Sequence, residues 1–392
     1  MRQNFYQMLC KEKEKEQKMS ESNFVHIAAQ YGLPAEVEIL AGNSGMNNTT
    51  RIVRAAGQKY IMRVYETHRD IGKVRCEHAV LRQLGEMQLT FAHPVPLVCG
   101  GSGEGGERRE DSRKAQDSVE DMEQREDGSR RVHDASGVQE TVAIAPDGKL
   151  AAMFHYIAGE RPQLQTSGQL ESFGRVVGQL GQALSQIHLP QMDGGYRPYY
   201  ELDQTHPSCP PAVLAEFCSA PPAEFIDYAD DLAFLRQWCL DFAVSVPQLK
   251  RLPHQLIHGD LNASNMLADA SGRIAALLDF EFVTPDLRVM EAAVCLSDLL
   301  EADESGSIDE TVTQSRFASF MLGWRSAAQP SKEELAALPL LVQLRRIDVF
   351  VHFLGRYFDG VDDAAIVQRQ IREAARTVGW LQSKGAQLAS LS

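Results

Sequence analysis

The sequence predicts an α+β fold, and three observations carry that expectation. Before Gly159, short alternating runs rich in β-branched and aromatic residues surround a single amphipathic stretch. From Gly159 onward, apolar residues recur at helical spacing. Between those helical stripes lies one compact non-helical block, residues 256–285, crowded with carboxylates and carboxamides.

Taken in order, Val37–Leu40 reads as a first strand leading into the polar loop Ala41–Asn48. Thr50–Arg54 turns through Ala55–Gln58 into Tyr60–Tyr65, an antiparallel hairpin closed by a glycine-containing turn. A helix follows over Asp70–Met87, with Val74, Val80, Leu81 and Leu84 on one face. Extended structure resumes at Pro94–Val98, and the small sheet is completed by Thr141–Ile144 and Leu150–Phe154 around the turn at Pro146–Gly148. Beyond Gly159, helical stripes are formed by Phe173, Val176, Leu180 and Leu184, by Leu232, Leu235, Trp238 and Phe242, and by Leu341, Leu344, Ile347, Phe350 and Leu354. Each stripe is expected to be core.

The segment 101–140 breaks this pattern. Close to half of it is charged, and its large apolar residues are few. Too little surface can be buried there to offset the entropy of ordering, so it is expected to be a disordered insertion. It contains Gly101-Ser-Gly103-Glu-Gly105-Gly106, a literal G-x-G-x-x-G. That motif needs a strand before it and an amphipathic helix after it, and the charged run from Glu107 supplies neither. A dinucleotide-binding fold is therefore excluded.

With 392 residues, 44% of them hydrophobic, the chain is long enough for two domains with a sizeable core. Its 39 basic against 53 acidic side chains give a formal charge of −14, which argues against a nucleic-acid partner, because phosphate neutralisation needs a basic face. The seven cysteines (Cys10, Cys76, Cys99, Cys209, Cys218, Cys239 and Cys295) are odd in number, widely spaced and without C-x-x-C. That fits a reducing compartment, and a cytoplasmic location is expected. No apolar run approaches the ~20 residues of a membrane span. Residues 1–30 are expected to form an N-terminal tail with a charged Lys11–Lys18 segment, and Met19 is a second candidate start. The motifs of zinc metalloproteases, α/β-hydrolases and P-loop nucleotidases are absent from the sequence.

The block 256–285 reads as chemistry. Leu256-Ile257 is a short buried strand ending near Gly259, after which a tight loop presents Asp260. Asn265 opens a second strand, a turn at Ser271-Gly272 folds the chain back, and the returning strand ends at Asp279. One hairpin thus brings two carboxylates and a carboxamide to a common rim. Such a set suits phosphoryl transfer, which needs positioning and charge neutralisation more than covalent help. Asn265 and Asp279 offer the oxygen ligands that Mg²⁺ prefers. Asp260 can accept the proton of an attacking hydroxyl, acting late if its pKa is ordinary.

His258-Gly-Asp260 followed by Asn265, and fourteen residues later by Asp279-Phe280, resembles the catalytic loop and metal-binding Asp of kinases. The H-G-D form is similar to that of the aminoglycoside phosphotransferase and choline kinase superfamily, the phosphotransferase enzyme family that includes homoserine kinase-like members. The resemblance extends over about residues 31–300. It implies a bilobal, protein-kinase-like fold: an N-lobe of small antiparallel sheet over 31–158, a mainly helical C-lobe over 159–392, and nucleotide in the cleft.

Further roles follow from that likeness. Arg63, in place of the usual Lys, would contact nucleotide phosphates; an Arg can do so bidentately. Glu77 would hold Arg63. The Gly42–Asn48 loop, with Asn48, would cover the nucleotide, and the hinge Met153–Gly159, with Met153 and His155, would border adenine. His258 would be a structural hydrogen-bonder beneath the loop. Glu281 stands where protein kinases have glycine after Asp-Phe, which with the missing activation segment argues against a protein kinase. Glu281 and Glu291 are candidate substrate contacts, and Glu291 can alternatively hold the catalytic loop.

The implied activity is ATP- and Mg²⁺-dependent transfer of a γ-phosphate to the alcohol group of a small molecule. Homoserine leads as acceptor, from the ending of the N-lobe sheet and H-G-D-L-x-x-x-N. Choline or ethanolamine comes next, and an aminoglycoside third; the acidic Glu281, Asp286 and Glu291 suit a cation. A catalytically silent nucleotide-binding module of the same fold is the alternative of another class, and the intact Asp260, Asn265 and Asp279 argue against it.

Overall fold

The computed structural model describes residues 19–42, 48–66, 69–100, 139–189, 196–300 and 307–390. The expected insertion 101–140, apart from its last two residues, and the charged segment 11–18 lie outside these. The chain divides into two compact units, Met1–His78 with Pro94–Tyr156, and Ala79–His93 with Ile157–Ser392.

The first unit is built on a five-stranded antiparallel sheet ordered β1-β2-β3-β5-β4, with β1 Glu38–Ala41, β2 Asn48–Ala55, β3 Gln58–Tyr65, β4 Val142–Ile144 and β5 Leu150–His155. The β2–β3 turn has positive φ at both central residues, Ala56 (48°) and Gly57 (78°). That is the backbone twist a two-residue hairpin requires. Helix α1, Glu21–Gln30, buries Phe24, Ile27 and Ala28 in a core with Val53, Met62, Val64, Ala151 and Met153. The expected tail over 1–30 is thus corrected in its last third. Phe24 and Ile27 are spaced for one helical face, but ten residues with two polar turns carry a weak signal. Tyr31 fastens this helix to the sheet, its hydroxyl donating toward the carbonyls of Thr141 (3.0 Å) and Ala151 (3.2 Å).

Helix α2, Ile71–Gly85, lies within the expected range and buries Val74, Val80, Leu81 and Leu84. In the second unit, α3 (Ser167–Leu184) starts at a capping box in which Thr166 and Gln169 satisfy each other's backbone N–H groups. It is followed by α4 (Pro211–Ser219) and α5 (Ala229–Leu249). Two short ribbons come next. Strand β6 (His254–Ile257) pairs with β9 (Thr284–Leu287), and β7 (Met266–Ala268) pairs with β8 (Ile274–Leu277), the latter turning at Gly272 with φ +81°. Helices α6 (Met290–Leu299), α7 (Glu310–Ala327), α8 (Lys332–Phe358) and α9 (Ala364–Ser390) complete the unit.

Helix α3 organises the second unit. A Cβ on Gly174 would run into the carbonyl oxygen of Phe320, and one on Gly323 into that of Glu171, so α3 and α7 meet backbone to backbone. The same helix ties both ribbons. Its Gly181 carbonyl accepts from Gln255 Nε2 of β6 at 2.9 Å, and Ser172 Oγ accepts the backbone N–H of Ile274 of β8 at 3.0 Å.

Candidate active site

The loop joining β6 to β7 begins with Gly259 at φ +81°, where a Cβ would also crowd the Phe282 carbonyl. Glycine is required there on both counts. His258, fully buried, has its Nε2 2.9 Å from the Leu278 carbonyl and its Nδ1 3.3 Å from the backbone nitrogen of Asp260. A carbonyl only accepts and an N–H only donates, so the proton is assigned to Nε2 and Nδ1 is the acceptor. Both ring nitrogens are therefore occupied in holding the loop, and the ring lies against Phe280 with centroids 4.5 Å apart. Glu291, on the first turn of α6, accepts the backbone N–H groups of His258 (2.5 Å) and Gly259 (3.3 Å). It is buried behind the loop, so of its two expected roles the geometry is that of the loop brace, not of a substrate contact.

Asp260 follows at the loop's apex. A short 3₁₀ turn, Ala263–Asn265, is capped by Asn262, whose Oδ1 accepts from Ser264 N–H at 2.9 Å. The turn brings Asn265 back onto Asp260: Nδ2 donates to the Asp260 carbonyl (2.9 Å) and to its Oδ2 (3.2 Å). Spending the amide nitrogen on Asp260 fixes the flip of the carboxamide. Asp279 follows β8 with φ 65° and ψ 68°, a left-handed conformation that costs a non-glycine residue roughly 1–2 kcal/mol. Such strain is concentrated at working sites.

Asp260 is pushed up to about 6, chiefly by burial; Arg345 opposes this, while the negative charges of Asp279 and Asp298 add to it. Its carboxyl is thus raised toward neutrality, above the ordinary carboxylate value. The same influence puts Asp279 within electrostatic reach of Asp260.

Arg345, on α8, was not singled out in the sequence. Its Nη2 donates to Asp260 Oδ1 at 2.5 Å, and its Nη1 to the Tyr199 hydroxyl at 2.7 Å and to Asp348 Oδ2 at 3.5 Å. Tyr199 in turn donates to the Gly259 carbonyl at 2.6 Å, and its backbone N–H donates to Asp286 Oδ2 at 2.6 Å. Asp348 accepts from Thr205 Oγ1 at 2.9 Å. The available signal was local: Arg345 and Asp348 are charges three apart beside the buried stripe Leu341, Leu344 and Ile347. Their partner lies 85 residues upstream, which no local pattern reveals.

The remaining expected residues belong to the first unit or to the turn after Asp279. Arg63 on β3 donates from Nη1 to Glu77 Oε1 at 3.1 Å, and the Tyr65 hydroxyl donates to Glu77 Oε2, also at 3.1 Å. Arg63 and Glu77 are therefore brought together. Of the other first-unit residues, two are buried. Asn48 is a buried first residue of β2, in register with Tyr65, because the hairpin runs two pairs further than the strand expected from Thr50; residues 43–47 lie outside the described set. Met153 is fully buried in the sheet core, so its side chain belongs to packing, while its carbonyl accepts from Leu97 N–H at 2.8 Å. His155 is exposed at the end of β5, its ring 5.8 Å from that of Tyr60. Glu281 is buried in the 3₁₀ turn Phe280–Phe282.

Among the described residues no group of three or more His, Cys, Asp or Glu side chains is arranged to hold a metal ion. Asn265 and Asp279 nonetheless present the oxygen chemistry of a hard cation, in the small number typical where substrate phosphates supply the other ligands. Among the described residues no helix is long and apolar enough to cross a membrane.

Residues 38–329 match the family model described as the phosphotransferase enzyme family. Homoserine kinase of Gluconobacter oxydans is 29% identical over 137 residues, 35% of this chain and 42% of that protein. Homoserine kinase of Afipia carboxidovorans is 29% identical over 177 residues, 42% of this chain and 46% of that protein. The chain thus matches less than half the length of these curated relatives. A microcompartment-associated aminopropanol kinase superposes with a TM-score of 0.60 over 94% of this chain and 99% of its own, at 13% identity, a likeness of fold. The α+β architecture is that of the protein-kinase-like phosphotransferases, and the chain belongs to the phosphotransferase enzyme family.

Proposed function

We propose that the protein is a small-molecule kinase that transfers the γ-phosphoryl group of ATP, with Mg²⁺, to an alcohol group, L-homoserine being the leading acceptor. The observation that carries this is the contact of Asp260 with Asn265 at 3.2 Å on the H-G-D loop, with the strained Asp279 within electrostatic reach. The acceptor hydroxyl oxygen forms a bond to the γ-phosphorus, the bond from that phosphorus to the leaving ADP oxygen breaks, and the hydroxyl proton passes to Asp260. Raised to about 6, Asp260 is a better-matched base near neutral pH than an ordinary carboxylate. Asn265 and Asp279 would hold Mg²⁺, which when bound neutralises phosphate charge. Arg63, held by Glu77, would contact the nucleotide phosphates.

Homoserine is favoured by the two homoserine kinases that share 29% identity with segments of the chain. An amino alcohol is the second acceptor, favoured by the partly exposed carboxylate of Asp348 near the loop. ADP release by the full chain, measured with Mg-ATP and L-homoserine, choline, ethanolamine or an aminoglycoside, tests the proposal. Release with one of these supports a kinase. Metal-dependent thermal stabilisation by ATP with no release from any acceptor supports the silent nucleotide-binding module instead.

A further inference from the structure

We infer that Arg345 reads a carboxylate on the acceptor, so that the substrate class is a hydroxy acid or hydroxy amino acid and not a simple amino alcohol. This rests on the kinase reading and deepens it. The guanidinium sits on the oxygen where the chemistry is proposed to occur: Nη2 is 2.5 Å from Asp260 Oδ1, while Oδ2 faces Asn265 Nδ2. An acceptor hydroxyl must bond to this carboxylate, so it meets a cation already installed beside its base.

The other partners of Arg345 are committed elsewhere. The Tyr199 hydroxyl spends its proton on the Gly259 carbonyl, and Asp348 also serves Thr205. Of the five N–H donors of a guanidinium, Tyr199, Asp348 and Asp260 take three. The two donors that remain, Nε–H and one N–H of Nη2, can meet a carboxylate. Arg345 and Asp260 keep side-chain exposures of 18% and 23%, so neither is sealed from a small molecule.

An acceptor that brings its own carboxylate can replace Asp260 as counter-ion of Arg345 and free Oδ1 for the hydroxyl. An acceptor carrying only an ammonium group is repelled by the guanidinium and cannot replace that counter-ion. Three carbons separate hydroxyl from carboxylate in homoserine, a span short enough to address two side chains already in contact. Arg345 is in this account a specificity-determining residue.

The test is steady-state ADP release by the full chain with Mg-ATP and three acceptors: L-homoserine, 4-hydroxybutyrate (carboxylate without amine) and 3-aminopropanol (amine without carboxylate). The expected wild-type kcat/KM for L-homoserine exceeds that for 3-aminopropanol by roughly 100-fold, the contribution of a charge-assisted pair, with 4-hydroxybutyrate between them. Arg345→Gln should collapse that ratio by tenfold or more through the KM for homoserine, and Arg345→Lys should restore part of it. Equal loss on both acceptors in Arg345→Gln, with the ratio unchanged, overturns the inference in favour of a structural role. Should Arg345→Gln fail to fold, the wild-type ratio decides: a preference for 3-aminopropanol overturns the inference. The same assay is run with choline and an aminoglycoside as further acceptors: activity only on one of these also overturns the inference, and in both cases the kinase reading stands. No ADP release with any acceptor overturns both.

Discussion

The Glu291 carboxylate accepts the backbone N–H groups of His258 and Gly259, pinning from beneath the turn that presents Asp260. Two backbone donors lose their acceptor if it is removed, and both are buried. Glu291→Ala should therefore lower stability by about 1–3 kcal/mol, the cost of buried unsatisfied groups, and lower kcat as the loop loosens. Glu291→Gln, which keeps one acceptor oxygen, should lose less of both. Calorimetric unfolding and ADP release on the same samples check the pair; an Ala variant with wild-type stability would contradict the bracing role.

Asp260→Asn keeps an oxygen for Arg345 and removes the proton acceptor. Turnover should fall by roughly 10²–10⁴-fold, while thermal stabilisation by Mg-ATP stays near that of the wild type. Undiminished phosphoryl transfer would remove Asp260 from the role of base. Asparagine is the informative choice, because truncating one member of a partly buried ion pair carries a large stability cost of its own.

Asp279 combines the carboxylate proposed to hold Mg²⁺ with a left-handed backbone. Asp279→Ala and Asp279→Gly should both weaken metal-dependent ATP binding. They should differ in stability, the Gly variant being more stable than the Ala variant by about 1 kcal/mol, since glycine adopts φ 65° without penalty. Isothermal titration with Mg-ATP and chemical denaturation read the two effects separately. Normal Mg-ATP affinity in either variant would argue against Asp279 as a metal ligand.

Asp286 is fully buried and is pushed up to about 7, mainly by that burial, with the N–H groups of Tyr199 and Leu287 opposing; burial does the same to Glu291, also to about 7. In the unfolded chain these carboxyls titrate near ~4. The native state thus binds their protons more tightly. The stability they contribute is complete below about pH 4 and lost as pH rises through about 7, up to about 4 kcal/mol for a shift of this size. Melting temperature should fall between pH 4.5 and 8, and Asp286→Asn should flatten the slope. Parallel pH profiles for the two proteins would exclude Asp286 as a source.

What the sequence revealed and what it hid divide along a physical line. The β2–β3 hairpin, α2 and the ribbon carrying Asn265 and Asp279 are made by neighbours in the chain, and alternation, helical spacing and turn glycines betray such pairings. The turn that carries Asp260 was legible because its glycine and the Asn265 that returns to it are close neighbours in the chain. Strand β9 was not: four residues including Pro285 are too few for a period, and its partner β6 lies some thirty positions earlier. Arg345 was hidden for the same reason, since an ion pair over 85 residues leaves no local trace. The burial of Met153 was hidden too, because an apolar strand residue looks alike whether it faces a ligand or a core.

The glycine-lined crossing of α3 with α7 has a remote consequence. Because α3 also grips β6 through Gly181 and β8 through Ser172, a lone methyl group at position 323 would wedge the two rods apart and drag on both anchors together. The damage would surface at Asp260 and Asp279, as catalytic impairment from an alteration that touches no reacting atom.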